Sequence, residues 1–174
     1  RGLQEISANF DGPVGAGMPD DMRDAQALVD AYRRLSSRAP GPGWTLAHGD
    51  AHVGNTFVDA DGRGCLVDWQ VIQFAPWGID VGYHIASALE PDVRADNERD
   101  LLQHYLDALA SAGVQDVPSW DLAWDEYRMG IVHGLFLWGI TVYVRPEVIA
   151  QLVRRLGTAA DDHGSYELLA KVGS

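Results

Sequence analysis

The stretch Thr45–Gln70, TLAHGDAHVGNTFVDADGRGCLVDWQ, is a short glycine-punctuated loop followed by a candidate β-hairpin. Two apolar runs, Thr56–Val58 and Cys65–Trp69, have the length and residue types of strands. The segment Asp59–Gly64 between them is rich in Asp and Gly, which favour tight turns. A hairpin here brings the second strand back beside the loop, so residues thirteen positions apart in the sequence lie close together.

Four polar residues of different chemistry occupy this loop and hairpin: His48, Asp50, Asn55 and Asp68. Their order, H-x-D-x-x-x-x-N followed by a further Asp, matches a kinase catalytic loop and its metal-binding acid. Asp50 is the predicted general base, because a loop carboxylate is ionised at neutral pH and can accept a proton from a hydroxyl. Asn55 and Asp68 are predicted to hold Mg²⁺ against the phosphates of a nucleotide. His48 is expected to support the loop backbone, and His52 either donates to the transferring phosphoryl group or caps the loop.

The fold class predicted from the whole chain is mainly α, with a small β-hairpin at the active site. Glycine and proline in residues 1–20 predict a linker or surface loop, and Trp44–Ala47 is a short extended run. The segment Phe74–Gly78 is predicted to be a loop. Helical spacing of apolar residues predicts helices over Met22–Ser37, Ile79–Leu89, Asp92–Ala112 and Trp120–Val144, and one more from Pro146, with Gly157 and Gly164 as possible interruptions.

Composition limits the class of protein. The 174 residues predict a single domain, 1–174, with 47% hydrophobic residues and six Trp to form a core. A net charge of −12 argues against nucleic-acid binding. The most apolar run, Met129–Val144, is too short and too interrupted for a membrane span, so no membrane contact is expected. Cys65 is the only cysteine, which excludes an internal disulfide and fits a cytoplasmic location.

The segments HGDAHVGN (48–55) and LVDWQ (66–70) resemble the aminoglycoside phosphotransferase-like kinases and their choline and ecdysteroid kinase-like relatives. The resemblance implies the C-terminal lobe of a protein-kinase-like (α+β) fold, with Asp50 as the base and Asn55 and Asp68 on Mg²⁺. It also implies that Asp80, in GIDVGYHIA, steadies the backbone of the catalytic loop. Many members carry an acid after Asp-Trp, where this chain has Gln70.

Two parts of a kinase nucleotide site are not found in the sequence. Lys171 is the only lysine, so no lysine precedes the loop to hold the α- and β-phosphates, and no G-x-G-x-x-G covers them. We therefore expect the nucleotide-covering N-terminal lobe to lie outside this chain, and the 174 residues alone to be inactive. An apolar surface left bare around the hairpin and Trp44 would favour self-association or a partner chain.

The predicted reaction moves the γ-phosphate of ATP or GTP to a hydroxyl of a small molecule. Contacts to that substrate are expected from the helices after Leu89, where acidic residues cluster. The candidates are Glu90, Asp92, Asp121, Asp125 and Glu126, each of which would otherwise be part of a solvated helix face.

Two other functions fit the same residues. His48-x-Asp50-x-His52 would share one face of a strand and could bind zinc or a two-metal centre, as in a metal-dependent hydrolase. The second of these functions is that of a binding module, a kinase-like fold that carries out no catalysis.

Overall fold

Helices form most of residues 2–172, the part of the chain described by the computed structural model. The α-helices are α1 (Gly2–Asp11), α2 (Ala25–Ser36), α3 (Gly78–Ala88), α4 (Pro91–Ser111), α5 (Trp120–Ile140), α6 (Pro146–Asp162) and α7 (Ser165–Val172). The strands are β1 (Trp44–Ala47), β2 (Thr56–Val58), β3 (Gly64–Leu66) and β4 (Gln73–Pro76). The predicted mainly helical fold is confirmed for these residues.

Helix α5 lies at the centre of the molecule and packs most extensively against α3. Its sequence is apolar nearly all round, as expected of a buried helix. Glycines let the two helices approach closely: a Cβ atom at Gly130 would overlap the carbonyl oxygen of Gly78. A Cβ atom at Gly134 would likewise overlap the ring of Tyr83. This close seam places α3 and α5 together behind the loop that follows β1.

The strands form two antiparallel pairs instead of the single hairpin that was predicted. The predicted hairpin is present as β2 and β3, but β3 ends at Leu66 and not at Trp69. The segment predicted as the loop Phe74–Gly78 instead contributes to β4, which pairs with β1 in the register Trp44↔Pro76 to Ala47↔Gln73. Pro76 is compatible with this pairing because it ends a strand of a two-stranded sheet.

The prediction of a linker or surface loop over residues 1–20 is wrong for Gly2–Asp11, which is helical, whereas residues 12–20 form turns and short 3₁₀ segments. Ile6 and Phe10, one helical turn apart, are buried at 0% and 1% exposure and lie beside Gly139 of α5. Asn9 Nδ2 also donates to the Gly139 carbonyl at 2.8 Å. Burial of this apolar pair outweighs the glycines and prolines that follow it. Arg1 lies outside the described residues.

Helix ends differ from the predictions by a few residues. Helix α2 begins at Ala25 because the Asp24 side chain caps it, accepting from two backbone N–H groups. Helix α5 ends at Ile140, four residues before Val144. Helix α6 runs through Gly157, whereas Gly164, with a φ of +54°, does separate α6 from α7. None of the helices in residues 2–172 is both long enough and apolar enough to cross a bilayer.

Candidate active site

The loop between β1 and the hairpin is hydrogen-bonded to Asp80, which lies in the first turn of α3. Its carboxylate accepts hydrogen bonds from the backbone N–H groups of His48, at 2.6 Å, and Gly49, at 2.8 Å. Both of these loop residues are buried. A carboxylate that accepts from two adjacent amides fixes the orientation of the peptide planes between them, so α3 sets the course of the loop at its start.

His48 connects the loop that carries Asp50 to the segment that carries Asp68. It is buried at 1% exposure; its Nδ1 accepts from the Asp50 N–H at 3.2 Å, and its Nε2 donates to the Val67 carbonyl at 2.8 Å. These partners assign the neutral tautomer with hydrogen on Nε2, because a carbonyl can only accept. Since both ring nitrogens are used within the protein, His48 is not free to bind a metal. The ring connects the amide of Asp50 to the residue before Asp68.

Two further histidines, which the sequence analysis missed, hold the carbonyl groups of the loop. His84 of α3 donates from Nδ1 to the Ala51 carbonyl, and His133 of α5 donates from Nε2 to the Gly49 carbonyl, each at 2.7 Å. Burial is the main cause that lowers the pKa of His133, so the ring is neutral at physiological pH. A histidine within the apolar sequence of α5 was the signal that could have indicated a buried polar contact. Its partner, Gly49, lies 84 residues away in the sequence and could not be identified from that signal.

Asp50 presents a partly exposed carboxylate with two hydrogen-bonded neighbours. The Tyr83 hydroxyl donates to Oδ1 at 3.1 Å, and Asn55 Nδ2 donates to Oδ2 at 3.2 Å. Burial, aided by the Asp50 charge, raises the pKa of Tyr83, which keeps the phenol protonated and able to donate. The side chain of Asp50 remains 26% exposed, so a ligand can reach it.

His52 follows Asp50 along the loop and faces it. Its Nδ1 accepts from the Gly54 N–H at 3.0 Å, which caps the short 3₁₀ turn Val53–Asn55. The hydrogen of a neutral ring is then on Nε2, which lies 3.7 Å from Asp50 Oδ2. Burial is the largest influence on the pKa of His52 and lowers it, against the opposing charges of Asp50 and Asp68. The ring is therefore neutral near pH 7 and retains one N–H donor.

Asn55 is oriented by its contacts with Asp50. Its Nδ2 donates both to the Asp50 carbonyl, at 2.9 Å, and to the Asp50 carboxylate. Because both partners are acceptors, the amide nitrogen must face Asp50 and Oδ1 must point elsewhere. Among residues 2–172, Oδ1 receives no hydrogen bond that would prevent it from binding a ligand. The Val67 N–H donates to the Asn55 carbonyl at 2.9 Å, which ties the end of the hairpin to Asn55.

Asp68 lies on the left-handed turn after β3, with φ 63° and ψ 62°. Within the described chain it is the one residue other than glycine with positive φ. The sequence suggested an apolar strand setting for this acid, but the strand ends before it and Asp68 is exposed. Backbone strain at a non-glycine residue is often found at functional sites. Neither Asp50 nor Asp68 forms an ion pair with an arginine in the part of the chain that is described.

The donor set suits a hard cation better than zinc. No group of three or more His, Cys, Asp and Glu side chains among the described residues is arranged to hold a metal ion. Mg²⁺ requires less from the protein, since one or two oxygen ligands together with phosphates and water complete its shell. The Asn55 amide oxygen and the exposed Asp68 carboxylate fit that requirement.

Three of the five acidic candidates for substrate contact form ion pairs with arginines of this chain. Glu90, at the start of α4, pairs with Arg154 and Arg155, and their hydrogen bonds lower its pKa to about 2. Asp125 pairs with Arg128 at 3.0 Å, and Glu126 binds Arg38. Asp92 and Asp121 lie in the first turns of α4 and α5.

A cavity of about 890 Å³ lies behind the loop, between the two strand pairs, α3 and α4. Its lining is mainly apolar, and it reaches the loop through His48, Asp80 and His84. Asp50, Asn55 and Asp68 do not line this cavity, so their side chains lie on a different face of the loop.

A model of the ecdysteroid kinase-like family matches residues 16–115. The chain belongs to the ecdysteroid kinase-like family. The matched segment contains the loop, both strand pairs and α3, and the resemblance of HGDAHVGN and LVDWQ to the choline and ecdysteroid kinase-like proteins is confirmed. Membership in the ecdysteroid kinase-like family implies small-molecule kinase-like phosphotransferase activity. No curated protein and no solved structure matches the chain significantly.

Proposed function

We propose that the chain transfers the γ-phosphoryl group of ATP or GTP to a hydroxyl of a small molecule, in the presence of Mg²⁺, with Asp50 as general base. The observation that carries this proposal is the contact between Asn55 Nδ2 and the Asp50 carboxylate at 3.2 Å. The candidate base therefore lies next to an amide whose oxygen accepts no hydrogen bond within residues 2–172, which supports a role for Asn55 Oδ1 as a cation ligand. The backbone carbonyl of Asn55 also accepts a hydrogen bond from the N–H of Val67, the residue before Asp68.

Asp50 would accept the proton of the attacking hydroxyl. A carboxylate has about four acceptor positions, and Tyr83 and Asn55 occupy one on each oxygen. Acceptor positions therefore remain on the exposed part of the carboxylate for a substrate hydroxyl. General-base assistance of this kind contributes about 10²–10⁴ in rate.

Asn55 through Oδ1 and Asp68 through its carboxylate would hold the Mg²⁺. When bound, this ion neutralises charge on the phosphates of the nucleotide. The neutral His52 ring, with hydrogen on Nε2 beside Asp50, would donate to an oxygen of the transferring phosphoryl group. Its other nitrogen keeps the Gly54 amide in place, so His52 combines both roles considered for it.

The arrangement of loop, hairpin, strand pair and helices is interpreted as the C-terminal lobe of a kinase-like fold. The sequence has no lysine before Lys171, so the groups that grip the α- and β-phosphates would come from outside these 174 residues. We therefore expect the 174 residues alone to turn over ATP poorly. An ATP-dependent reaction and an unpaired Cys65 fit a cytoplasmic location.

A partner surface is a further part of the proposal. Large apolar side chains are exposed around the hairpin and β1, with Leu46 at 65%, Val58 at 71% and Phe74 at 61%. Apolar patches of this kind commonly mark interaction sites. Self-association or a partner chain at this face would appear as concentration-dependent sedimentation of the purified chain.

The test uses the full-length gene product that contains this chain, with a panel of hydroxyl compounds and ADP release as the readout. Asp50→Asn is expected to lower kcat by about 10²-fold or more while the protein stays folded. Asp96→Asn, at an exposed acid on α4 that has no proposed role in the site, is the matched control. Wild-type kcat in Asp50→Asn would reject the proposed base, and nucleotide binding without turnover on any compound would favour the binding module.

The metal-dependent hydrolase is tested by zinc analysis of the same protein. Its ligand set would need His48, whose ring nitrogens already contact the Asp50 amide and the Val67 carbonyl. One tightly held equivalent of zinc would therefore contradict both the proposed kinase site and the assignment of His48 as a brace.

A further inference from the structure

Two buried aromatic side chains form a hydrogen-bonded line behind Asp50. Tyr83 of α3 is 0% exposed and Trp138 of α5 is 7% exposed. Trp138 Nε1 donates to the Tyr83 hydroxyl oxygen, and the Tyr83 hydroxyl donates to Asp50 Oδ1 at 3.1 Å. The line crosses the α3–α5 seam and ends on the carboxylate proposed as the base.

The direction of these hydrogen bonds follows from the groups themselves. An indole N–H can only donate, so the Tyr83 oxygen must accept from Trp138. A phenol has one hydrogen, and Asp50 Oδ1 is the acceptor that it meets. The phenol hydrogen therefore points at the Asp50 carboxylate, and Oδ1 accepts it.

The position of the phenol is also fixed by packing. The Tyr83 ring lies against Gly134 of α5, where a side chain would overlap the ring. Because both helices are held together at this seam, the hydroxyl cannot follow a carboxylate that rotates. Asp50 thus has a rigid partner on Oδ1, while Oδ2 faces Asn55 and His52.

We propose that Tyr83 is a positioning residue for phosphotransfer, and that Trp138 acts through it to hold the Asp50 carboxylate in one orientation. This inference rests on the proposed function of Asp50. Oδ1 is held from the helix side by Tyr83, while Oδ2 faces Asn55 and His52. Because Tyr83 and Trp138 are both buried, we assign them to support of the carboxylate and not to substrate contact.

Removal of the hydroxyl should lower kcat with little effect on substrate binding. In Tyr83→Phe the ring still fills its place, but Oδ1 loses its buried donor and the carboxylate can rotate. Misplacement of a reacting group by about 1 Å costs up to about 100-fold in rate. We expect kcat to fall by about tenfold or more, and KM for nucleotide and for the acceptor to change by less than about twofold.

The experiment compares four variants of the full-length protein by ADP release: Tyr83→Phe, Trp138→Phe, the double variant, and Tyr166→Phe as the control. Within the described residues, the Tyr166 hydroxyl is buried without a hydrogen-bond partner, so Tyr166→Phe removes a buried hydroxyl but breaks no hydrogen bond. Trp138→Phe should lower kcat less than Tyr83→Phe. The double variant should resemble Tyr83→Phe, since Trp138 acts through the phenol.

Three results would overturn the inference: wild-type kcat in Tyr83→Phe, an equal fall in Tyr166→Phe, or multiplied effects in the double variant. An inactive wild type would instead reject the proposed function. A crystal structure of Tyr83→Phe then tests the positioning role by itself. A rotated or split Asp50 carboxylate supports the inference, and a carboxylate that superimposes on the wild type rejects it.

Discussion

Replacement of Asp80 by alanine tests how the loop is held, independently of any activity. The Asp80 carboxylate accepts from two backbone N–H groups, those of His48 and Gly49, at 2.6 and 2.8 Å. Both donors belong to buried residues, so Asp80→Ala leaves two buried amides without their partner. Each hydrogen bond to a charged group contributes about 1.5–3 kcal/mol to stability, which gives about 3–6 kcal/mol for the pair.

The lower end of this range is expected, because Asp80 lines the cavity behind the loop and water can reach the vacated space. A loss of about 3 kcal/mol is a large part of the 5–15 kcal/mol that is typical of a domain. For a protein of this size it corresponds to a fall in Tm of about 6–12 °C. Asp80→Asn should lie between the wild type and Asp80→Ala, since it keeps one acceptor oxygen.

Urea unfolding followed by circular dichroism measures the free energy, and Asp92→Ala is the matched control. Asp92 is also an aspartate in the first turn of a helix, but it is exposed on α4. Its removal should cost only the interaction with the helix dipole, about 0.3–1 kcal/mol. If Asp80→Ala costs no more than Asp92→Ala, the two amide bonds do not hold the loop and the reasoning fails.

Gly130→Ala is expected to cost about 3 kcal/mol of unfolding free energy, because its methyl group would overlap the Gly78 carbonyl. Gly64→Ala adds a methyl group in open space and is the control in the same urea titration. Asp68→Ala is expected to abolish the Mg²⁺-dependent part of nucleotide binding in calorimetry, and unchanged Mg²⁺ dependence would exclude Asp68 as a ligand. Glu90 has a folded pKa of about 2, below its usual 4.5, so its ion pairs add stability above about pH 4.5 that disappears as pH falls toward 2. The difference in unfolding free energy between wild type and Glu90→Gln should therefore shrink over that interval, and a constant difference would contradict the assignment.

Local signals were sufficient for much of the fold. The hairpin has a turn rich in Asp and Gly between apolar runs, and the later helices have clear apolar periodicity, so both were predicted from the sequence. The pairing of β4 with β1 was missed because it joins residues far apart, such as Trp44 and Pro76. Phe74–Gly78 contains proline and glycine, and local rules assign such a segment to a loop. Long-range pairing with β1 instead makes the first part of this segment a strand.

The polar groups of the site were identified from the loop itself, but their supports were not. Asp50, Asn55 and Asp68 stand in a recognisable order, whereas His84, Tyr83 and His133 lie in helices where their spacing is that of core residues. Tyr83 meets Asp50 across 33 positions of the chain. A sequence gives the identity of such a residue but not the three-dimensional contact, because helix packing creates it.

The two acids of the site are held in contrasting ways, and the contrast follows from the backbone. The loop at Asp50 is irregular yet largely buried, so its amides and carbonyls must find partners within the protein. Side chains from α3, α5 and the loop itself supply them: Asp80, His84, His133, His48 and Asn55. This part of the site is therefore arranged before any ligand arrives, which is how a preorganised polar site avoids reorganisation during the reaction. Asp68 is exposed on a strained left-handed turn, so ligand binding there could compensate for the strain of the turn. In the proposed reaction, the acceptor hydroxyl would meet a fixed carboxylate at Asp50, and the nucleotide would enter and leave with a cation bound at Asp68.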